Sequence, residues 1–292
     1  MVVNQDKQNP QSPSLLNKVI HKVKWEFFRQ EGRTKLDNKV KVYVISHPKC
    51  GRTWLRMILG KILCSQFNLD EKYILNTIKL TLEAGVTNIN WIHDGSGSWS
   101  PGSITKSRFV RFVTDKSIFK DKKVIFLCRN PKDVLVSSYF HVTRRYDYQF
   151  KGNISDFIRS REHGIEKLVN FYNLWYKNQN VPEDFLLIKY EDLKTAPYET
   201  LKTIIDFAQI KNIEEKTIKN AIEFAKFDNM KNLEKNAKLH NSILQPGTVE
   251  DNESYKVRRG KVGGYLDYLS QEDIEYIDKV IARKGCPFCL YK

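Results

Sequence analysis

Apolar positions along the chain fall into two periods. KVYVIS, residues 41–46, is a short, nearly continuous apolar run rich in β-branched residues, the pattern of a strand covered on both faces. WLRMILGKILCSQF follows, with Leu55, Ile58, Leu59, Ile62 and Leu63 at helical steps. The two read as strand, loop, helix. A second such unit lies in KKVIFLCRNPKDVLVSSYFHV: Val124 to Cys128 make the strand, and Asn130, Pro131 and Asp133 take the cap, first-turn and third positions of a helix start. EDFLLIKY, residues 183–190, gives a third buried strand, and steps of three and four predict helices over 154–178 and 197–225. From Ser14, SLLNKVIHKVKWEFFRQ carries an apolar stripe opposite a basic face, and the polar residues 1–13 read as a flexible arm. Strands alternating with helices predict a single α/β domain over 14–292. Its central parallel sheet is flanked by helices, with ligands at the carboxyl ends of the strands.

With 292 residues and 41% hydrophobic content the chain can bury one substantial core. Its formal charge of +15 favours an acidic partner: nucleic acid, an acidic membrane surface or a phosphorylated small molecule. No apolar run reaches the roughly 18 residues of a membrane span, and MVVNQDKQNPQSPS lacks signal-peptide character, so the expectation is a soluble, cytoplasmic protein. The five cysteines are odd in number and mostly lie in apolar segments, as reduced core thiols do. Cys286 and Cys289, in CPFC, are open to reading as a redox pair or half a zinc site. No second CxxC or HxxxH accompanies them, so two incidental tail thiols and no metal are expected.

The candidate chemistry begins at SHPKCGRTW, Ser46 to Trp54. A loop between a buried parallel strand and a helix presents unpaired N–H groups at the positive end of the helix dipole, and Lys49 adds a mobile cation. In the familiar triphosphate loop the lysine follows the last glycine of GxxxxGK[ST]; here Lys49 precedes Gly51. The order resembles, instead, the PKxGTTW loop of sulfotransferases that use 3′-phosphoadenosine 5′-phosphosulfate (PAPS). Three further segments carry the same resemblance in the same order: RNPKDVLVSSYF from Arg129, KYEDL from Lys189, and SYKVRRGKVGGYLDYLS from Ser254.

The resemblance implies a P-loop-like phosphosulfate-binding loop, PAPS as co-substrate, 3′-phosphoadenosine 5′-phosphate (PAP) as product, and a small-molecule acceptor. Lys49 stabilises charge on the leaving phosphate, with the N–H groups of Gly51, Arg52, Thr53 and Trp54 behind it. Arg129 and Ser137 hold the 3′-phosphate, and Arg258, Arg259 and Gly260 close over it. Trp54 and Phe227 sandwich adenine near Tyr190, although Phe227 also fits an apolar helix face. The acceptor needs a base. His93, after the apolar run NINWI, is the first candidate and Asp94 the second, while a gapless comparison points instead to Lys106–Arg108. Arg52 replaces the usual threonine, adding a cation beside the phosphosulfate. The KxxxTVxxxE dimer motif is missing, leaving monomer and homodimer both open. The competing readings are an ATP-dependent small-molecule kinase and a basic nucleic-acid-binding protein, the latter without a recognisable motif.

Overall fold

The structure, a computed structural model, describes residues 39–97, 112, 114–145, 150–236 and 243–289. The expected arm, the stripe from Ser14 and the stretch Lys106–Arg108 lie outside them. The chain divides after Val40, and every element below belongs to Lys41–Lys292.

Four strands, β1 (Val42–Ile45), β2 (Ile89–Ile92), β3 (Lys123–Cys128) and β4 (Asp184–Lys189), form a parallel sheet in the order β2-β1-β3-β4. All four residues of β1 are buried, as its unbroken apolar run requires. The described α-helices are α1 (Arg52–Gln66), α2 (Thr77–Glu83), α3 (Pro131–Arg144), α4 (Ile154–Arg159), α5 (Ile165–Lys177), α6 (Tyr190–Thr195), α7 (Pro197–Phe207), α8 (Glu215–Phe224), α9 (Phe227–Lys235) and α10 (Gln271–Lys284). The sheet and flanking helices match the α/β reading. Phe126 of β3 sits at the centre of the aromatic core, within 6 Å of Phe171, Tyr172, Trp175 and Phe288.

The start of α3 follows its sequence: Asn130 Oδ1 accepts the Lys132 N–H at 3.0 Å and Pro131 fills the first turn. Both long predicted helices are interrupted. The first breaks between α4 and α5, where a Cβ on Gly164 would lie 2.4 Å from two backbone carbonyls. The second breaks between α7 and α8, where Gln209 and Asn212 adopt left-handed backbone conformations that end a helix. The expectation for the tail thiols is corrected too: Cys286 and Cys289 form a disulfide, because the tight turn at Pro287–Cys289 brings residues three apart to a Cα separation of 5.2 Å. Cys50, Cys64 and Cys128 are free and buried.

Candidate active site

From β1 the chain crosses to β2 on one side and later to β3 on the other, so the carboxyl ends of these strands bound a crevice at a topological switch point. The register then sets which side chains meet. Ile45 pairs with Ile92, so Ser46 and His93 emerge side by side; Cys128 pairs with Lys189, so Arg129 and Tyr190 do the same. A cavity of about 510 Å³ opens here, lined by every donor-binding residue expected from the sequence and by His93.

At one end lies the loop after β1. Lys49 and Gly51 have φ of 73° and 93°, a left-handed path that leads into α1 without a side-chain cap. Gly51 is required twice over, since a Cβ would lie 2.4 Å from the Tyr190 ring. The loop is tied down through Tyr172, whose hydroxyl accepts the Arg129 N–H at 3.1 Å, donates to the Arg129 carbonyl at 3.0 Å and meets Cys50 Sγ at 3.3 Å. The Lys49 ammonium is held well below the usual lysine range by burial and then by the Arg145 and Lys256 cations. Lys256, which the sequence reading did not single out, is lowered to about 8 by burial and then by Arg145.

Against this loop, Arg129 donates from its two terminal nitrogens to the carbonyls of Lys49 (3.2 Å) and Lys261 (3.0 Å), and its guanidinium lies 4.4 Å from the Tyr190 ring centre. Its Nε is buried without a partner among the described residues. Ser137, two turns into α3, lines the same cavity. Trp54 is fixed by its Nε1–H to the Ala225 carbonyl at 2.9 Å and meets Tyr190 edge-on. Phe227 opens α9, half-buried, and a Cβ on Gly260 would lie 2.8 Å from its ring.

The segment 256–265 covers these groups and is pinned at both ends by buried carboxylates. Glu234, wholly buried, accepts the N–H groups of Lys256 (2.7 Å) and Val257 (2.8 Å) and pairs with Arg145. Asp133 accepts those of Gly263 (2.9 Å) and Tyr265 (3.0 Å). The sequence assigns Asp133 only a helix-start role, and nothing in its local pattern reveals a contact 130 residues away. Arg258 pairs with Glu253 at 2.8 Å, and Arg259 pairs with Asp267 at the surface.

Of the base candidates among the described residues, only His93 lines the cavity. Its Nδ1 lies 2.9 Å from the Ser46 carbonyl, which cannot donate, so Nδ1 carries the proton and Nε2 the lone pair. Burial and then the Arg52 charge hold the imidazole well below its ordinary range. Asp94 is turned away: its carboxylate takes Lys116 Nζ at 2.6 Å and Trp175 Nε1–H at 2.9 Å, a built-in structural ion pair. His141, which the sequence reading missed, also lines the cavity; its position one turn after Ser137 on α3 was the available signal.

Comparison with known proteins identifies the family. Residues 39–285 match the family described as the sulfotransferase domain. Flavonol 3-sulfotransferase of Flaveria bidentis is 26% identical over 258 residues, covering 83% of this chain and 81% of that protein. Amine sulfotransferase of Oryctolagus cuniculus is 26% identical over 256 residues, covering 85% and 82%. Among solved structures, a mouse sulfotransferase complexed with PAP superposes with a TM-score of 0.58 at 20% identity, covering 86% of this chain and 88% of that one. The chain belongs to the sulfotransferase domain family, and the kinase reading gives way. No described helix is long and apolar enough to cross a membrane.

Proposed function

We propose that the protein transfers the sulfuryl group of PAPS to a hydroxyl, or an amine, of a small-molecule acceptor. The observation that carries this reading is the meeting of two cations in one cavity, Lys49 on the loop after β1 and Arg129 at the end of β3, with Ser137 of α3 and the rings of Trp54 and Phe227 lining the same space. A nucleotide whose ribose carries an anion at both the 3′ and 5′ positions, with adenine branching from it toward the aromatic rings, fits that set of groups. The unmet Nε of Arg129 suits a phosphate, which only accepts hydrogen bonds.

Turnover then follows from the chain's own groups. His93 Nε2 takes the acceptor proton as the acceptor oxygen or nitrogen bonds to sulfur. The bond from sulfur to the 5′-phosphate oxygen breaks, and its electron pair stays on that oxygen. Lys49 and the N–H groups opening α1 meet the charge where it grows, without reorganisation. Relatives named for flavonols and for an amine support a small organic acceptor. Incubation with sulfur-labelled PAPS and a panel of phenols, alcohols and amines tests the reading. Label should pass to at least one acceptor and PAP should appear in equal amount; no transfer across the panel, with PAPS bound, would overturn it.

A further inference from the structure

Two arginines of α1 add side-chain charge beyond the N–H group that Arg52 is expected to offer the donor. Arg52 and Arg56 lie one turn apart, and Arg52 lines the cavity. Arg56 lies 5.0 Å over the ring of Trp91 on β2, and continuing the strand's alternation puts Trp91 and His93 on the same face. Among the described residues neither arginine has a carboxylate partner, and Arg56 Nε is buried with no hydrogen bond. Acids of this region are engaged elsewhere: Asp94 by Lys116 and Trp175, Glu234 by Arg145 and two backbone N–H groups, and Asp133 by the N–H groups of Gly263 and Tyr265. Each guanidinium is lowered by burial first, Arg52 to about 9 and Arg56 to about 10, and Arg52 further by Arg56. Two cations beside the candidate base thus lack a counter-charge.

Lys49 and the helix N–H groups already face the phosphosulfate. Both arginines bear electrostatically on His93 and Lys256, which places the surplus charge where acceptor and base meet. We propose that Arg52, backed by Arg56, forms an anion subsite of the acceptor pocket, so that the preferred acceptor is a hydroxyl compound that also carries a carboxylate, sulfate or phosphate. This rests on the sulfotransfer reading and adds the class of acceptor to it.

A matched pair of probes tests it. The protein is saturated with PAP, and 2-naphthol and 6-hydroxy-2-naphthoate are each titrated by calorimetry. The naphthoate should bind about 10- to 100-fold tighter, the range of one charge-assisted contact. Arg52→Thr should bring the ratio close to one, and Arg56→Gln should lower it in part; PAP binding by each variant reports that it is folded. Equal or weaker binding of the naphthoate to the wild type, no binding of either probe, or a ratio untouched in both variants would overturn the inference. Failure of PAP itself to bind would instead overturn the sulfotransfer reading beneath it.

Discussion

Lys49 differs from the chain's other described lysines by its left-handed backbone, on a loop that lines the cavity. Lys49→Met should lower kcat by about 100- to 1000-fold, the usual loss for one preorganised donor, and steady-state kinetics reads it. His93→Ala should lower kcat about 100- to 10,000-fold while PAP still binds. Because the His93 imidazole must be neutral to accept a proton, activity is lost as pH falls through its pKa. That pKa lies well below the ordinary histidine value, so the acid limb of kcat/KM should fall below pH 6.5. An acid limb at or above that pH would remove His93 from the role. Lys49 and Lys256 are both lowered, and a bound anion favours their charged forms, so PAP binding near pH 8 should take up protons. Calorimetry in buffers of different ionisation enthalpy measures this, and proton release would contradict it. At this scale the sequence was informative where a motif fixed position, as for Lys49, Arg129 and Ser137. It was silent on Glu234, whose contacts with Lys256 and Val257 exist only after the chain has folded.

The segment 256–265 supplies one wall of the cavity. Its hold on the domain comes from four backbone N–H groups donated to two buried carboxylates, Glu234 and Asp133. Asp133→Ala leaves two of those donors unmet, at about 1–3 kcal/mol each. Hydrogen exchange at Gly263 and Tyr265 should quicken, and PAP affinity should fall about tenfold or more; unchanged exchange at both amides would refute the clip. The strands and helix starts were legible because buried parallel strands have continuous apolar runs and α3 has a full set of capping residues. The breaks at Gly164 and after Phe207 were not, since apolar spacing continues across them while backbone packing decides where the chain turns. β2 was legible only as an apolar run, being four residues long with alternate burial.

For the molecule as a whole, the charge of +15 is concentrated to effect where it meets the cavity: Lys49, Arg52, Arg129, Lys194, Lys256 and Arg258 all line it. Composition announced an acidic partner but could not choose one; the sheet order brings the β1 and β3 loops and their cations together. On the proposed assignment of Arg129 to the 3′-phosphate, Arg129→Ala should weaken PAP binding about 10- to 100-fold with less effect on turnover at saturation. The most direct test of the central claim is a calorimetric titration of the wild-type protein with PAP and, in parallel, with 5′-AMP, which lacks the 3′-phosphate. Tight binding of PAP and binding of 5′-AMP at least about 100-fold weaker is the predicted result. No heat with PAP, or equal affinity for the two nucleotides, would contradict it.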